Sequence, residues 1–189
     1  MDLQTTFFDK AGPDNTEKTL ELVKEWADRL DVETLLVAST TGKTGAMAVD
    51  RLRSHRIVVV SHATGFRAVD EQEMLPEYRS RIESGGGRIL TCPHAFGGVG
   101  RGLRLKFDTV GLDDILANTL RIMGEGAKVA VEITLMAADA GWIRTDQSVI
   151  SVGGTSRGAD TAALIRPRNT FSFFDMQLQA ILCKPWIRE

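Results

Sequence analysis

A chain of 189 residues, 43% apolar and only 6% aromatic, can bury one sizeable core without being divided, so a single domain over residues 1–189 is expected. Lys and Arg number 23 against 25 Asp and Glu, and the net charge of −2 excludes a global field that would recruit nucleic acid or an anionic membrane. Cys92 and Cys183 are far apart and lack metal-ligand spacing, no basic leader precedes an apolar stretch, and no apolar run reaches membrane length; a cytoplasmic protein with reduced core cysteines and no metal site is expected.

Phe7 and Phe8 read as aromatics folded over the end of a sheet in preference to a short edge strand. Gly12-Pro13 punctuates the chain, and Asp14, Asn15 or Thr16 can cap a helix whose Leu20, Val23, Ala27 and Leu30 share one face, with Trp26 beside them. Leu35 to Ala38 is an apolar run suited to a strand buried on both faces, and Gly45, Ala48, Val49 and Leu52 follow at helical spacing. Between them lies the turn Ser39 to Thr44. Gly42 permits an unusual backbone angle, Ser39, Thr40, Thr41 and Thr44 offer hydroxyls, Lys43 offers a point charge, and the unpaired N–H groups of a helix start attract anions.

Gly42-Lys43-Thr44 matches the end of the nucleotide P-loop pattern G-x-x-x-x-G-K-[ST]. The match fails upstream, because Val37 stands where the first glycine belongs and the next apolar run ends in Ser61-His62 without an acidic magnesium ligand. A phosphate or a phosphorylated ligand suits the turn better than an ATPase, a GTPase or a featureless strand-to-helix connection.

Arg56 to Ser61 is a second β-branched run, with His62 to Phe66 as its exit loop and His55 exposed before it. A helix should then carry Met74, Leu75, Tyr78 and Ile82 inward, starting near Pro76, and Arg88 to Cys92 reads as a third strand. Repeated strand-helix units argue for a parallel sheet with right-handed crossovers. Pro93 to Gly102 contains too many glycines for a regular element and is expected to be a loop; Arg101, Arg104 and Lys106 read as a solvated face. Leu112, Ile115, Leu116, Thr119 and Met123 mark a helix. The next, from about Lys128 to Ala140, is apolar around most of its circumference, which predicts burial against a subunit partner and hence a homo-oligomer, or else burial between two layers of one chain. Ser148 to Val152 and Thr161 to Arg166 are close enough to pair antiparallel, and Met176 to Cys183 alternates as a last strand at the sheet edge.

STTGKT, SHATGF, HAFGGVGRG, KVAVEITLMAADAGWI and VGGTSRGADTA resemble a small family of stand-alone proteins similar to the C-terminal α/β domain of pyruvate kinase; the resemblance to the kinase domain itself runs from about Val32 to Pro167. It implies a three-layer α/β/α fold with a mixed, mostly parallel sheet of about five to six strands, the last ones antiparallel. It also implies that Ser39, Thr41, Gly42, Lys43 and Thr44 hold a phosphate, and that Gly153, Gly154, Thr155, Arg157 and Gly158 extend that site. Gly45 departs from the kinase pattern, where alanine is usual, and the tryptophan of the later loop is missing. No counterpart of the catalytic barrel fits in this length, so no pyruvate kinase reaction is expected.

Ligands of open α/β sheets collect beyond the carboxyl ends of the parallel strands, where His62, Gly65, Phe66, His94 and Phe96 would join these two turns. Phe66 and Phe96 would either stack on a planar ligand or act as lids over the sheet. Glu132 and Asp139 share a helix face and read as solvent-facing or paired charges in preference to a pair of metal ligands. The expected function is binding of a phosphorylated small molecule, flavin mononucleotide first and a sugar bisphosphate second. The alternative is an enzyme using His62, His94 or Arg157.

Overall fold

The structure, a computed structural model, describes residues 3–186. One seven-stranded sheet runs in the order β1-β7-β6-β5-β2-β3-β4, with β1 (Thr6–Phe8), β2 (Thr34–Ala38), β3 (Arg56–Ser61), β4 (Arg88–Thr91), β5 (Val149–Gly153), β6 (Thr161–Arg166) and β7 (Gln177–Pro185). β5, β2, β3 and β4 are mutually parallel, whereas β6 is antiparallel to both β5 and β7.

Period-two alternation along the central strands divides the core between two faces. Leu35, Val37, Ile57, Val59, Ile150 and Val152 face a layer built from α1 (Thr16–Leu30), α2 (Lys43–Arg51) and α3 (Pro76–Ser84). Leu36, Val58, Val60 and Val149 face α6 (Glu125–Asp139). Outside α6 lies α5 (Leu112–Arg121), which in turn carries α4 (Gly98–Phe107). The expected three-layer α/β/α architecture is therefore present, with antiparallel pairing confined to β6.

Several local expectations are corrected. Phe7 and Phe8 belong to a true edge strand, because β1 pairs in parallel with β7 and so displaces β7 from the edge; the sheet accordingly exceeds the expected strand number. The glycine-rich stretch is a loop only as far as Gly97, and Gly98 to Phe107 is helical. None of α4's residues is buried, however, and Val99, Leu105 and Phe107 are exposed. Leu75, expected inside, is exposed one position before α3, and Leu112 and Ile115 point outward from α5. His55 is covered, not exposed: its side chain is 7% accessible, with Nε2 3.4 Å from Asp28. Of the two expectations for α6, burial between layers of one chain is seen: all of Gly126 to Ala138 except half-buried Val129 is covered by the sheet and α5, together with Phe96 and Phe173.

Cys92 and Cys183 are free thiols, and burial pushes that of Cys183 up to about 12. Among the described residues no helix is long and apolar enough to cross a membrane.

Candidate functional site

After β2 the chain departs to β3 and β4 on one side of it and later returns to β5 on the other. This reversal opens a crevice beyond the carboxyl ends of β2 and β5. A cleft of about 1340 Å³ occupies it, bounded by the β2–α2 turn, the loops after β3 and β4, one wall of α6, and the β5–β6 loop.

The β2–α2 turn is shaped by Gly42, whose φ of 92° is open to glycine and whose Cβ, were it present, would lie 2.6 Å from Tyr78 Cβ. Ser39 Oγ accepts the N–H of Gly45 at 3.1 Å and so caps α2 from within. The N–H groups of Lys43 and Thr44 donate to no group among the described residues, and both residues line the cleft. Thr41 lines it too, while its carbonyl accepts the N–H of Leu75 at 3.0 Å and draws the next loop alongside.

That loop carries His62. Its Nδ1 lies 2.8 Å from Glu73 Oε2, and its Nε2 lies 3.2 Å from Thr40 Oγ1. Gln72 folds the loop back by donating to the His62 carbonyl at 3.1 Å and accepting the Met74 N–H at 2.9 Å. The Phe66 ring sits 4.1 Å from the His62 ring and 4.8 Å from that of His94, and the Arg101 guanidinium lies 4.1 Å from its centre. Phe66 is thus engaged by the protein's own groups.

His94 rests against α6. Its Nδ1 is 3.6 Å from Glu132 Oε2, beyond hydrogen-bond range, and its buried Nε2 has no partner among the described residues. Lys128 Nζ donates to Glu132 Oε2 at 2.5 Å, and the Phe96 N–H donates to Oε1 at 3.1 Å. Burial opposes ionisation of Glu132, but His94 and the Lys128 ammonium outweigh it and hold the carboxyl at about 2. Phe96 packs edge-on against Phe173 at 5.7 Å.

The β5–β6 loop is tied by buried Asp160, which accepts the N–H of Gly12 at 2.9 Å, the N–H of Thr155 at 3.1 Å and the hydroxyl of Thr161 at 2.8 Å. Gly154, Ser156, Arg157 and Gly158 border the cleft, whereas Gly42, Gly153 and Thr155 do not. Gly153 instead lets α6 approach the sheet: a Cβ there would lie 2.3 Å from the Gly126 carbonyl oxygen.

Every acid on the cleft wall has a basic partner: Glu17 pairs with Arg51, Asp114 with Arg104, Glu125 with Arg121 and Glu132 with Lys128. Lys43 and Arg157 form no ion pair among the described residues, so the cleft is electropositive in a chain of net charge −2.

Thirteen of the residues expected at the site therefore line one cleft: Ser39, Thr40, Thr41, Lys43, Thr44, His62, Gly65, Phe66, His94, Phe96, Gly154, Arg157 and Gly158. Sequence reasoning missed Glu73, Arg101 and Lys128. Lys128 and Glu132 carried a legible signal, two opposite charges four apart on an otherwise apolar helix. Glu73 carried none, being placed by an irregular loop. Glu132 and Asp139 are not brought together: Asp139 is exposed and bonded to Thr170 and Asn169. No cluster of three metal-ligating side chains occurs among the described residues.

No family model matches the chain. Among solved structures it is similar to a pyruvate kinase of Cryptosporidium parvum, at 13% identity over 81% of this chain and 23% of that one, with a TM-score of 0.42. The Cryptosporidium parvum enzyme in complex with ADP gives the same identity and score over 24% of its chain, and a further structure of it gives 11% and 0.40 over 22%. The chain spans about a quarter of the kinase chains it matches.

Proposed function

We propose that the cleft binds a phosphorylated small molecule, with the phosphate at the start of α2 and the remainder extending toward Arg157 and Phe66. The observation that carries this reading is the charge balance of the wall, where the acids are neutralised and Lys43 and Arg157 are left without counter-ions. The open N–H groups of Lys43 and Thr44 add donors that need no reorganisation to meet an anion. Hydrogen bonds to a charged group contribute about 1.5–3 kcal/mol each, so loss of two weakens binding by roughly a hundredfold or more. Cytoplasmic residence accords with two free thiols.

Flavin mononucleotide is the first candidate and a sugar bisphosphate the second. A flavin ring stacking on Phe66 has to take the place of Arg101, whereas a sugar bisphosphate leaves Arg101 available to its second phosphate. Calorimetry with inorganic phosphate, flavin mononucleotide and a sugar bisphosphate tests the reading. The wild type should bind at least one of them, and the Thr41→Val, Thr44→Val double variant and Lys43→Met should each lose it while keeping the wild-type unfolding transition. Equal binding by wild type and variants would put the phosphate elsewhere.

A further inference from the structure

We propose that Glu73, His62 and Thr40 form an activated nucleophile, with Thr40 accepting the phosphoryl group of a phosphate monoester held at the start of α2. The substrate class rests on the phosphate-binding reading above; the nucleophile rests on separate geometry.

The sheet itself sets up the contact. β2 and β3 are parallel with Ala38 opposite Val60, so two residues further on Thr40 stands opposite His62, just beyond the last paired positions. The hydroxyl and imidazole then meet at 3.2 Å. Glu73 returns to the same ring through the fold made by Gln72 and lies 2.8 Å from Nδ1. A carboxylate only accepts, so the neutral ring carries its proton on Nδ1 and presents a bare Nε2 to the Thr40 hydroxyl. Nucleophile, base and orienting acid are thus in sequence, with Thr40 and His62 lining the cleft and Glu73 behind them.

In the first step Thr40 Oγ1 attacks phosphorus as the bond to the ester oxygen breaks. The hydroxyl proton passes to His62 Nε2 and from there to the leaving alkoxide, which departs as the alcohol. In the second step water attacks phosphothreonine, His62 takes the water's proton and returns it to the Thr40 oxygen, and inorganic phosphate is released. The balance needs only ester and water. Lys43 and the open N–H groups of α2 face the phosphoryl oxygens, whose charge they stabilise. Glu73 touches no substrate; it is a positioning residue.

Two probes test this. p-Nitrophenyl phosphate reports turnover, and acid quenching with mass spectrometry should find phosphate on Thr40. Diisopropyl fluorophosphate, which is uncharged and loses fluoride to an attacking oxygen, should label Thr40 without depending on the anion site. Thr40→Val should lose both signals and Thr40→Ser should retain them. His62→Gln should lower turnover by roughly a hundredfold or more. Glu73→Gln should lower kcat with KM nearly unchanged, a split that a merely structural role would not produce.

If the wild type binds inorganic phosphate yet releases no p-nitrophenol and takes no label at Thr40, the nucleophile is refuted and the binding reading stands. Turnover that survives Thr40→Val also refutes it. A label at Thr40 in a protein that binds none of inorganic phosphate, flavin mononucleotide and a sugar bisphosphate keeps the nucleophile but refutes the substrate class and the binding reading together.

Discussion

The Glu132 carboxylate accepts the backbone N–H of Phe96 at 3.1 Å, and so a side chain on the most buried helix fixes the loop that carries His94 into the cleft. Its other oxygen takes the Lys128 ammonium. Glu132→Leu leaves that ammonium buried and uncompensated, a change that costs about 3–5 kcal/mol where one partner of a buried pair is removed. Lys128→Met combined with Glu132→Leu should recover much of the loss, because no charge is left stranded. Urea unfolding of the wild type and the two variants measures both effects; equal stability of the single and double variants would mean that the pair is not coupled.

Acid should unfold the protein in part through the same carboxyl. Its value falls from an ordinary 4.5 in the unfolded chain to about 2 in the folded one, so the stabilisation is complete above the unfolded value and is lost as pH falls toward the folded value. Stability measured between these two limits should drop more steeply in the wild type than in Glu132→Gln. Parallel curves for the two proteins would contradict this.

Gly45 is a packing requirement. A Cβ there would lie 2.7 Å and 2.9 Å from the two Val59 methyls and 3.0 Å from Ile82 Cδ1. Alanine gains up to about 1 kcal/mol of helix propensity but overpacks a close-packed layer at a cost of about 1–3 kcal/mol. Gly45→Ala should therefore lower the thermal midpoint, and Val59→Ala in the same chain should offset part of the loss. A midpoint unchanged by Gly45→Ala would show that the layer yields freely.

Asp160 holds two backbone N–H groups from segments far apart in sequence. In Asp160→Ala both lose their acceptor; the Gly12 N–H is left buried, at about 1–3 kcal/mol, and the half-buried Thr155 N–H costs less. The β5–β6 loop should loosen, with faster amide exchange at Thr155 and weaker binding of a phosphorylated ligand through Arg157. Unaltered exchange at Thr155 would show that the loop is held by other contacts.

The central strands were legible because β2, β3 and β5 are buried on both faces and so read as unbroken apolar runs bounded by turn residues. The β2–α2 turn was legible for the same reason: Gly42 and the hydroxyls interrupt two strong patterns. β1 was not, since three residues carry no period and the strand exists only by pairing with β7. α4 was hidden by its glycines, whose weak propensity is overridden by placement beside α5. The His62 and Thr40 contact follows from strand register, which pattern alone does not supply, and Glu73 joins it through a loop fold that Gln72 determines.

The pairing of β1 with β7 also sets the order of events during synthesis. The Thr5 hydroxyl donates to the Ile181 carbonyl across 176 residues, so β1 has no partner until β7 has been made. Meanwhile β2 to β4 and their helices, joined by short-range crossovers, can assemble without it. The edge presented by β7 is then open until β1 returns to cover it, and during that interval it is exposed to pairing with a neighbouring copy.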